Sequence, residues 1–347
     1  MITPPASPRV SVVLPVYNGA RDVPAAVQSI LAQTFTDFEL IAINDGSTKD
    51  NSREVLDGLA ESTRDPRLRV VHLDANVGLA RALNHGIGLA SGAFIVRQDQ
   101  DDISRPERIA RQLAFMQTNP RCGLLGTAAE IWIGDEPSGR FHDHAGDNAM
   151  LQVDLLSNNP FVHSSVMLRR SALDEVGLYT TDRARQPPED YELWSRIARR
   201  HQVANLPDRL LVYREVPGSM SRDAANPFLQ KLIVISAENI AFWNGLAAPD
   251  QTCRAAACLL HAAYDLLPAE ADIETICGSL TAAITAIEAA NPGAELAERK
   301  ARVLANLCHH FVQAGRLPTW LEPLVGPARR LPLPAGLKRR VVAWLSR

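Results

Sequence analysis

The sequence predicts an α/β protein with a mostly parallel central sheet, followed by a helical appendage. Two observations predict it. From Val10 to Arg97, short apolar, β-branched runs alternate with segments of helical period, the pattern of a parallel sheet covered on both faces. After about Asn226 the chain turns Ala- and Leu-rich and keeps only the helical spacing.

The elements follow in order. Val10 to Val16 reads as a buried strand that enters a loop, stopped by Pro15 and Asn18. Val23, Ala26, Val27, Ile30 and Leu31 recur at helical spacing, with Asp22 placed to cap and Pro24 tolerated in the first turn. Phe38 to Ile43 is a second strand, and Gly46 permits its sharp exit. A helix carrying Val55, Leu56 and Leu59, a strand Leu68 to Leu73, a helix Leu79 to Leu89 and a strand Ala93 to Arg97 continue the alternation. The pattern then loosens into a helix over Ile109 to Met116, short strands near Leu124 and Ile131, and an apolar run from Phe161 to Leu168. A helix starts near Glu189, and Arg209 to Tyr213 reads as an edge strand. Helical period returns at Leu229, Leu232 and Ile233, at Cys258, Leu259, Ala262, Ala263 and Leu266, and over Val303 to Val312. A Pro-rich interval from Leu317 to Pro334 sets off a last helix, Leu337 to Leu345. The reading is an α/β domain over residues 1–224, a helical appendage over 225–316, and a Pro-rich segment with a short basic amphipathic helix over 317–347.

Composition excludes several classes. At 347 residues the chain is too long for one small core. A net charge of −3 gives no basic field for nucleic acid. Five cysteines without a CxxC pair argue against a disulfide framework and a zinc site. With neither a signal-peptide pattern nor about eighteen uninterrupted apolar residues, the expectation is a cytoplasmic chain.

Four segments carry chemistry. Pro15-Val16-Tyr17-Asn18 and Asp45 close the first two strands, so both loops should face one crevice beyond the carboxyl ends of the sheet. Tyr17 offers a flat face for a nucleobase, and Asp45 can accept from an imide N–H or a ribose hydroxyl, although ordinary turn chemistry also fits them. Asn76-Val77-Gly78 leads into a helix, where Gly78 lets backbone approach a ligand and Arg81 lies near the free N–H groups that suit phosphate. Helix-start chemistry with a solvated Arg fits equally.

Gln98-Asp99-Gln100-Asp101-Asp102 follows a strand directly and places three carboxylates in four positions. Such crowding favours a hard cation, Mg²⁺ or Mn²⁺, held with the phosphates of a ligand. Helix-dipole complementation explains Asp102 but not the cluster. Finally, in Glu189-Asp190-Tyr191-Glu192-Leu193-Trp194, a buried stripe of Leu193, Trp194 and Ile197 puts Asp190 in the first turn of a helix. There it can take a proton from an acceptor hydroxyl or simply cap the helix.

The order of these segments resembles bacterial family 2 glycosyltransferases: VSVVLPVYN, QTFTDFELIAINDGSTKDNS, NVGLARALNHGI, RQDQDD followed by PERI, PFVHSSVMLRR and EDYELW. The resemblance covers about Val10 to Ser221. It implies a GT-A (nucleotide-diphospho-sugar transferase) fold and an inverting, metal-dependent transfer from a nucleotide-sugar donor, UDP first, to a saccharide, lipid-linked saccharide or glycoprotein acceptor. It assigns Asp190 as the base. It assigns Pro15, Tyr17, Asn18, Asp45, Asn76, Gly78, Arg81, Asp99 and Gln100 to the donor, Asp101 and Asp99 to Mn²⁺ or Mg²⁺, and Glu189 and Trp194 to the acceptor. In one departure, Tyr213-Arg214-Glu215-Val216 has Val216 where relatives carry a His that reaches the metal or diphosphate; His163 lies too early to replace it and reads as structural.

Rival readings are a sugar nucleotidyltransferase, which would want a Gly- and Lys/Arg-rich triphosphate loop where PVYNGARD stands, and a non-catalytic nucleotide-sugar-binding protein. A Rossmann dehydrogenase fails, because Gly86, Gly88 and Gly92 come too late for its fingerprint. At the C-terminus Leu337, Val341, Trp344 and Leu345 share one helical face among Lys338, Arg339 and Arg340. That face can lie on an anionic membrane or pack as a terminal helix.

Overall fold

A computed structural model describes residues 8–215 and 228–315. The expected Pro-rich interval, the last helix Leu337 to Leu345 and Val216 lie outside the described residues. The chain forms two compact units. One comprises Met1–Asp147, Pro160–Arg183 and Glu192–Ala224; the other comprises Asn148–Asn159, Ala184–Tyr191 and Ala225–Arg347.

The first unit is built on a nine-stranded sheet among the described residues. Its strands are β1 (Val10–Val16), β2 (Phe38–Asn44), β3 (Leu68–His72), β4 (Phe94–Arg97), β5 (Ile103–Ser104), β6 (Cys122–Ile133), β7 (Glu136–His142), β8 (Met167–Arg169) and β9 (Gln202–Glu215). The order is β3-β2-β1-β4-β8-β6-β9-β5, with β7 paired to β6. β1 is buried along its whole length, as a central parallel strand covered on both faces must be. Crossover helices α1 (Val23–Leu31), α2 (Ser52–Thr63) and α3 (Leu79–Leu89) alternate with the first strands as the hydrophobic pattern predicts. α4 (Arg108–Thr118) and α6 (Arg170–Val176) complete the cover, with α7 (Glu189–Ala198) entering this unit from Glu192 onward.

The structure corrects several expectations. The parallel core of the sheet is extended by antiparallel pairs that the sequence did not announce: β1 with β2 and β4, β2 with β3, and β6 with β9 run parallel, whereas β4–β8, β6–β8, β6–β7 and β5–β9 are antiparallel. The two short strands near Leu124 and Ile131 are one strand, β6, of 12 residues. The expected edge strand is the end of β9, 14 residues long and paired on both sides. Its polar stretch around Pro207 and Asp208 reads as a break in the sequence but lies at a register shift, where β6 advances one residue while β9 passes from Leu206 to Arg209. Asp22 stands at the start of α1 yet makes no side-chain cap hydrogen bond; its carboxylate pairs with Arg214 instead.

The second unit is helical. α8 (Leu229–Trp243), α9 (Gln251–Leu260), α10 (Ile273–Ala290) and α11 (Ala297–Gln313) bury a common core, joined by Ala149 and Val153 of α5 (Asn148–Asp154). The sequence pattern did not single out α10. By length and composition that helix is apolar enough to cross a membrane, but Ile276, Leu280, Ala283, Ile284 and Ile287 are core residues of this unit. Ala262, Ala263 and Leu266 lie beyond the end of α9, in a turn where Ala262 has φ 54°.

Candidate active site

Four loops of the sheet unit are hydrogen-bonded into one surface beyond the carboxyl ends of β1, β2 and β4. The loop after β1 is fixed from both sides. On one side Asn18, at φ 50°, accepts at Oδ1 from the backbone N–H groups of Thr48 and Lys49 at 3.2 and 3.1 Å, and its own N–H donates to Ser47 Oγ at 2.9 Å. On the other side the Gln100 amide meets Tyr17: Oε1 accepts from the Tyr17 N–H at 2.8 Å, and Nε2 donates to the Tyr17 carbonyl at 3.3 Å. The Tyr17 side chain is left 41% exposed, ready to stack. Pro15 is buried inside β1 and therefore serves the strand rather than offering a surface.

Asp45 is buried and ties β2 to the start of α3. Its carboxylate accepts from the N–H groups of Val77 and Gly78 at 2.8 and 3.0 Å and from Asn76 Nδ2 at 3.1 Å. Gly46 carries φ +61° and packs so closely on Ala75 and Asn76 that a Cβ would lie 2.3 Å from backbone, which explains glycine there. Gly78 carries φ +88° with open space around it. Arg81 is exposed one turn into α3.

The acidic loop follows β4. Carboxylate oxygens of Asp99, Asp101 and Asp102 lie within 4.8 Å of one another. The three differ sharply in surroundings. Asp102 is fully buried, accepts from Ser164 Oγ and takes the Arg214 N–H at 2.8 Å. Burial and then the two neighbouring carboxylates hold its pKa well above the usual range. Asp99 is paired with Arg97, a buried guanidinium at the end of β4. Arg97 and Arg214 thus place two guanidinium groups beside the cluster, Arg214 through its bond to the Asp101 carbonyl. Asp101 is pushed up to about 6, first by burial and then by the charge of Asp99. Two hard oxygen donors this close, one of them resisting ionisation, fit Mg²⁺ or Mn²⁺, with Asp101 and Asp99 as the groups that would hold it and Asp102 committed elsewhere.

Beneath the loop runs a buried polar network that sequence reasoning missed. Arg108, in the PERI segment, donates to Gln98 Oε1 at 2.9 Å, Ser104 Oγ at 2.8 Å and the Arg97 carbonyl at 2.8 Å. Gln98 Nε2 in turn holds the carbonyls of Asp99 and Asp102 at 3.1 and 2.8 Å. Burial lowers the Arg108 pKa to about 9. The available signal was an Arg on the buried face of an amphipathic helix. Arg214 was equally unforeseen: its Nε donates to the Asp101 carbonyl and its Nη1 and Nη2 pair with Asp135 at 2.9 Å and Asp22 at 3.2 Å.

Trp194, expected at the acceptor, is a core residue. It is fully buried and edge-packed on Phe161, His163 and Tyr179. His163 is structural in this setting: its Nε2 lies 2.9 Å from the Tyr179 hydroxyl, and burial, then the charge of Arg97, hold the ring well below its ordinary pKa. Asn84 of α3 locks Tyr179, donating to its carbonyl at 2.8 Å and accepting its N–H at 3.0 Å.

Asp190 belongs to the helical unit. Its Oδ2 accepts from Asn159 Nδ2 at 2.7 Å and its Oδ1 from the Tyr191 N–H at 2.7 Å. The turn is anchored there: the Tyr191 hydroxyl donates to the Leu155 carbonyl at 2.7 Å and lies 3.0 Å from Ser236 Oγ, which is 2.7 Å from His261 Nε2. Arg185 makes two 2.8 Å bonds to Glu238. Glu189 is buried at the head of α7.

The family model described as glycosyl transferase family 2 matches residues 11–177. The amylovoran biosynthesis glycosyltransferase AmsE of Erwinia amylovora is 31% identical over 207 residues, 59% of this chain and 75% of that protein. The putative glycosyltransferase EpsE of Bacillus subtilis is 29% identical over 235 residues, 66% of this chain and 81% of that one. Among solved structures, S. aureus TarS 1-349 in complex with UDP-GlcNAc superposes with a TM-score of 0.58 at 18% identity, covering 89% of this chain and 92% of that one.

Proposed function

The chain belongs to glycosyltransferase family 2 and has the GT-A fold, and from that premise we propose an inverting, metal-dependent transfer of a sugar from a UDP-sugar to an acceptor hydroxyl. The observation that carries this reading is the assembly in the sheet unit of an exposed Tyr17 face and the Asp99 and Asp101 oxygens, joined through Gln100. A donor diphosphate needs both a surface for its base and a cation for its charge. The UDP-GlcNAc complex of TarS supports UDP as the carrier.

In this reading Tyr17 stacks on the base, while Asn18, Asp45, Asn76 and Gly78 shape the walls and Arg81 faces the phosphates. Asp101 and Asp99 would hold Mg²⁺ or Mn²⁺, which would supply charge neutralisation for the departing diphosphate. Asp190 takes the proton of the acceptor hydroxyl as its oxygen attacks the anomeric carbon on the face opposite the leaving group.

The relative named for amylovoran biosynthesis supports a saccharide acceptor in polysaccharide synthesis. Contact with an anionic membrane through Leu337 to Leu345 suits a lipid-linked acceptor; equal sedimentation of the full chain and a chain ending at Pro334 with anionic liposomes at low salt rejects it. The test of the function itself is a thermal-shift screen of nucleotide sugars with Mn²⁺, followed by donor turnover. A selective rise in Tm with a UDP-sugar is expected by mass action. No shift with any nucleotide sugar, or binding without turnover in the presence of acceptor saccharides, overturns it.

A further inference from the structure

One side chain links the two halves of the donor surface. Gln100 stands between Asp99 and Asp101 in sequence, and its amide closes a two-bond ring on the backbone of Tyr17. Tyr17 keeps an exposed ring while its N–H and carbonyl are both taken by Gln100. The space is fitted to the amide: a Cβ on Gly19 would lie 2.3, 2.4 and 2.9 Å from Gln100 Oε1, Cδ and Nε2. Gly19 is buried, and its N–H is held by Ser52 Oγ at 2.9 Å, so the backbone beside the amide cannot drift away.

We propose that Gln100 is a positioning residue for the nucleobase, and that Gly19 is glycine to admit its amide. An aromatic face contributes to binding only while its plane is held, because a ring free to swing must be ordered by the ligand at an entropic cost. Gln100 fixes the backbone from which the Tyr17 ring projects, so only the side-chain torsions are left for the ligand to order. It also joins the base-stacking residue to the loop of the acidic cluster, so a shift of either is felt by the other. This assignment rests on the reading of the site as a UDP-sugar donor site.

The test is a variant cycle on the full chain with UDP and uridine as probes, read as Kd by calorimetry and as KM and kcat with the donor found by screening. Uridine carries no phosphate, so its affinity reports the base subsite without metal. Gln100→Ala is expected to weaken uridine and UDP about tenfold and to raise donor KM about as much, the size of effect of one or two well-placed hydrogen bonds. The kcat should stay within about twofold, because the bonds are formed equally before and during reaction. Gly19→Ala should reproduce the loss by displacing the amide, and Gly19→Ala in the Gln100→Ala background should add nothing, since the atoms it strikes are gone.

Wild-type affinity of Gln100→Ala, additive losses in the double variant, or a fall in kcat matching the rise in KM together with a lowered Tm each overturn the positioning role. If the wild type binds no uridine nucleotide at all, the donor reading falls and takes this assignment with it. Failure of Gln100 alone leaves wild-type UDP binding intact, so the two are told apart.

Discussion

Asn159 donates its amide hydrogen to Asp190 at 2.7 Å, on the oxygen opposite the one that accepts the Tyr191 N–H. Two neutral donors, the Asn159 amide and the Tyr191 backbone, thus help to orient the Asp190 carboxylate, as a general base requires.

Asp190→Asn should therefore lower kcat by about a hundredfold or more while donor KM changes little, within the range for loss of a general base. Asn159→Ala should give a smaller fall, about tenfold, through loss of orientation. Steady-state kinetics with donor and acceptor varied separately checks both. An Asp190→Asn enzyme that loses UDP-sugar affinity but keeps turnover at saturation shows a binding or capping residue.

The two carboxylates nearest Asp99 should fail in different ways. Asp101→Ala should abolish transfer with little loss of stability, because its ionised form is already disfavoured by burial and by Asp99. Asp102→Ala should lower unfolding stability by about 2–4 kcal/mol, since it orphans the buried Ser164 hydroxyl and the Arg214 N–H. Urea titration beside an activity assay separates the pair, and EDTA should silence the wild type. Full activity of the wild type in EDTA contradicts the metal role.

Arg108→Met preserves much of the stem but strips the donors from Gln98, Ser104 and the Arg97 carbonyl. A loss of about 2–4 kcal/mol in unfolding free energy is expected. Metal and nucleotide binding should weaken too, because Gln98 holds the backbone of the acidic loop. Unchanged Mn²⁺ affinity in a folded variant would show that the network supports the core alone.

The helical unit should be acid-sensitive. Burial depresses the His261 pKa from 6.5 to about 4, so the unfolded chain binds a proton there before the folded one does. This contribution is present above about pH 6.5 and is lost as pH falls toward 4, about 1–2 kcal/mol after discounting for the ring's partial exposure. His261→Gln should flatten that part of the stability profile measured by chemical denaturation at pH 7 and pH 5. An unaltered slope would place the acid response elsewhere.

How far the sequence could be read depended on whether a signal was local. β1, α3 and the acidic loop were legible because apolar period, Gly and clustered charge announce themselves within a few residues. The antiparallel half of the sheet was not: β8 has 3 residues, and β9 is interrupted at Pro207, so neither gives an alternating run long enough to recognise. The acidic triplet could be found, but its sorting into one structural and two available carboxylates depends on Ser164 and Arg214, 62 and 112 residues away from Asp102. Trp194 was misplaced for a related reason, since a tryptophan beside a candidate base looks functional until Phe161, His163 and Tyr179 are seen around it.

Residues 148–159 and 184–191 are grouped with the C-terminal helices, and Asp190 and its donor Asn159 lie in those two stretches. The segment matched by the family model ends at residue 177 and so contains Asn159 but not Asp190. For anyone recombining relatives to change the acceptor, the seam is therefore not a single cut after the sheet. A graft of the C-terminal helices must bring both inserted stretches with it, or Asp190 and Asn159 will be packed with helices they did not come with.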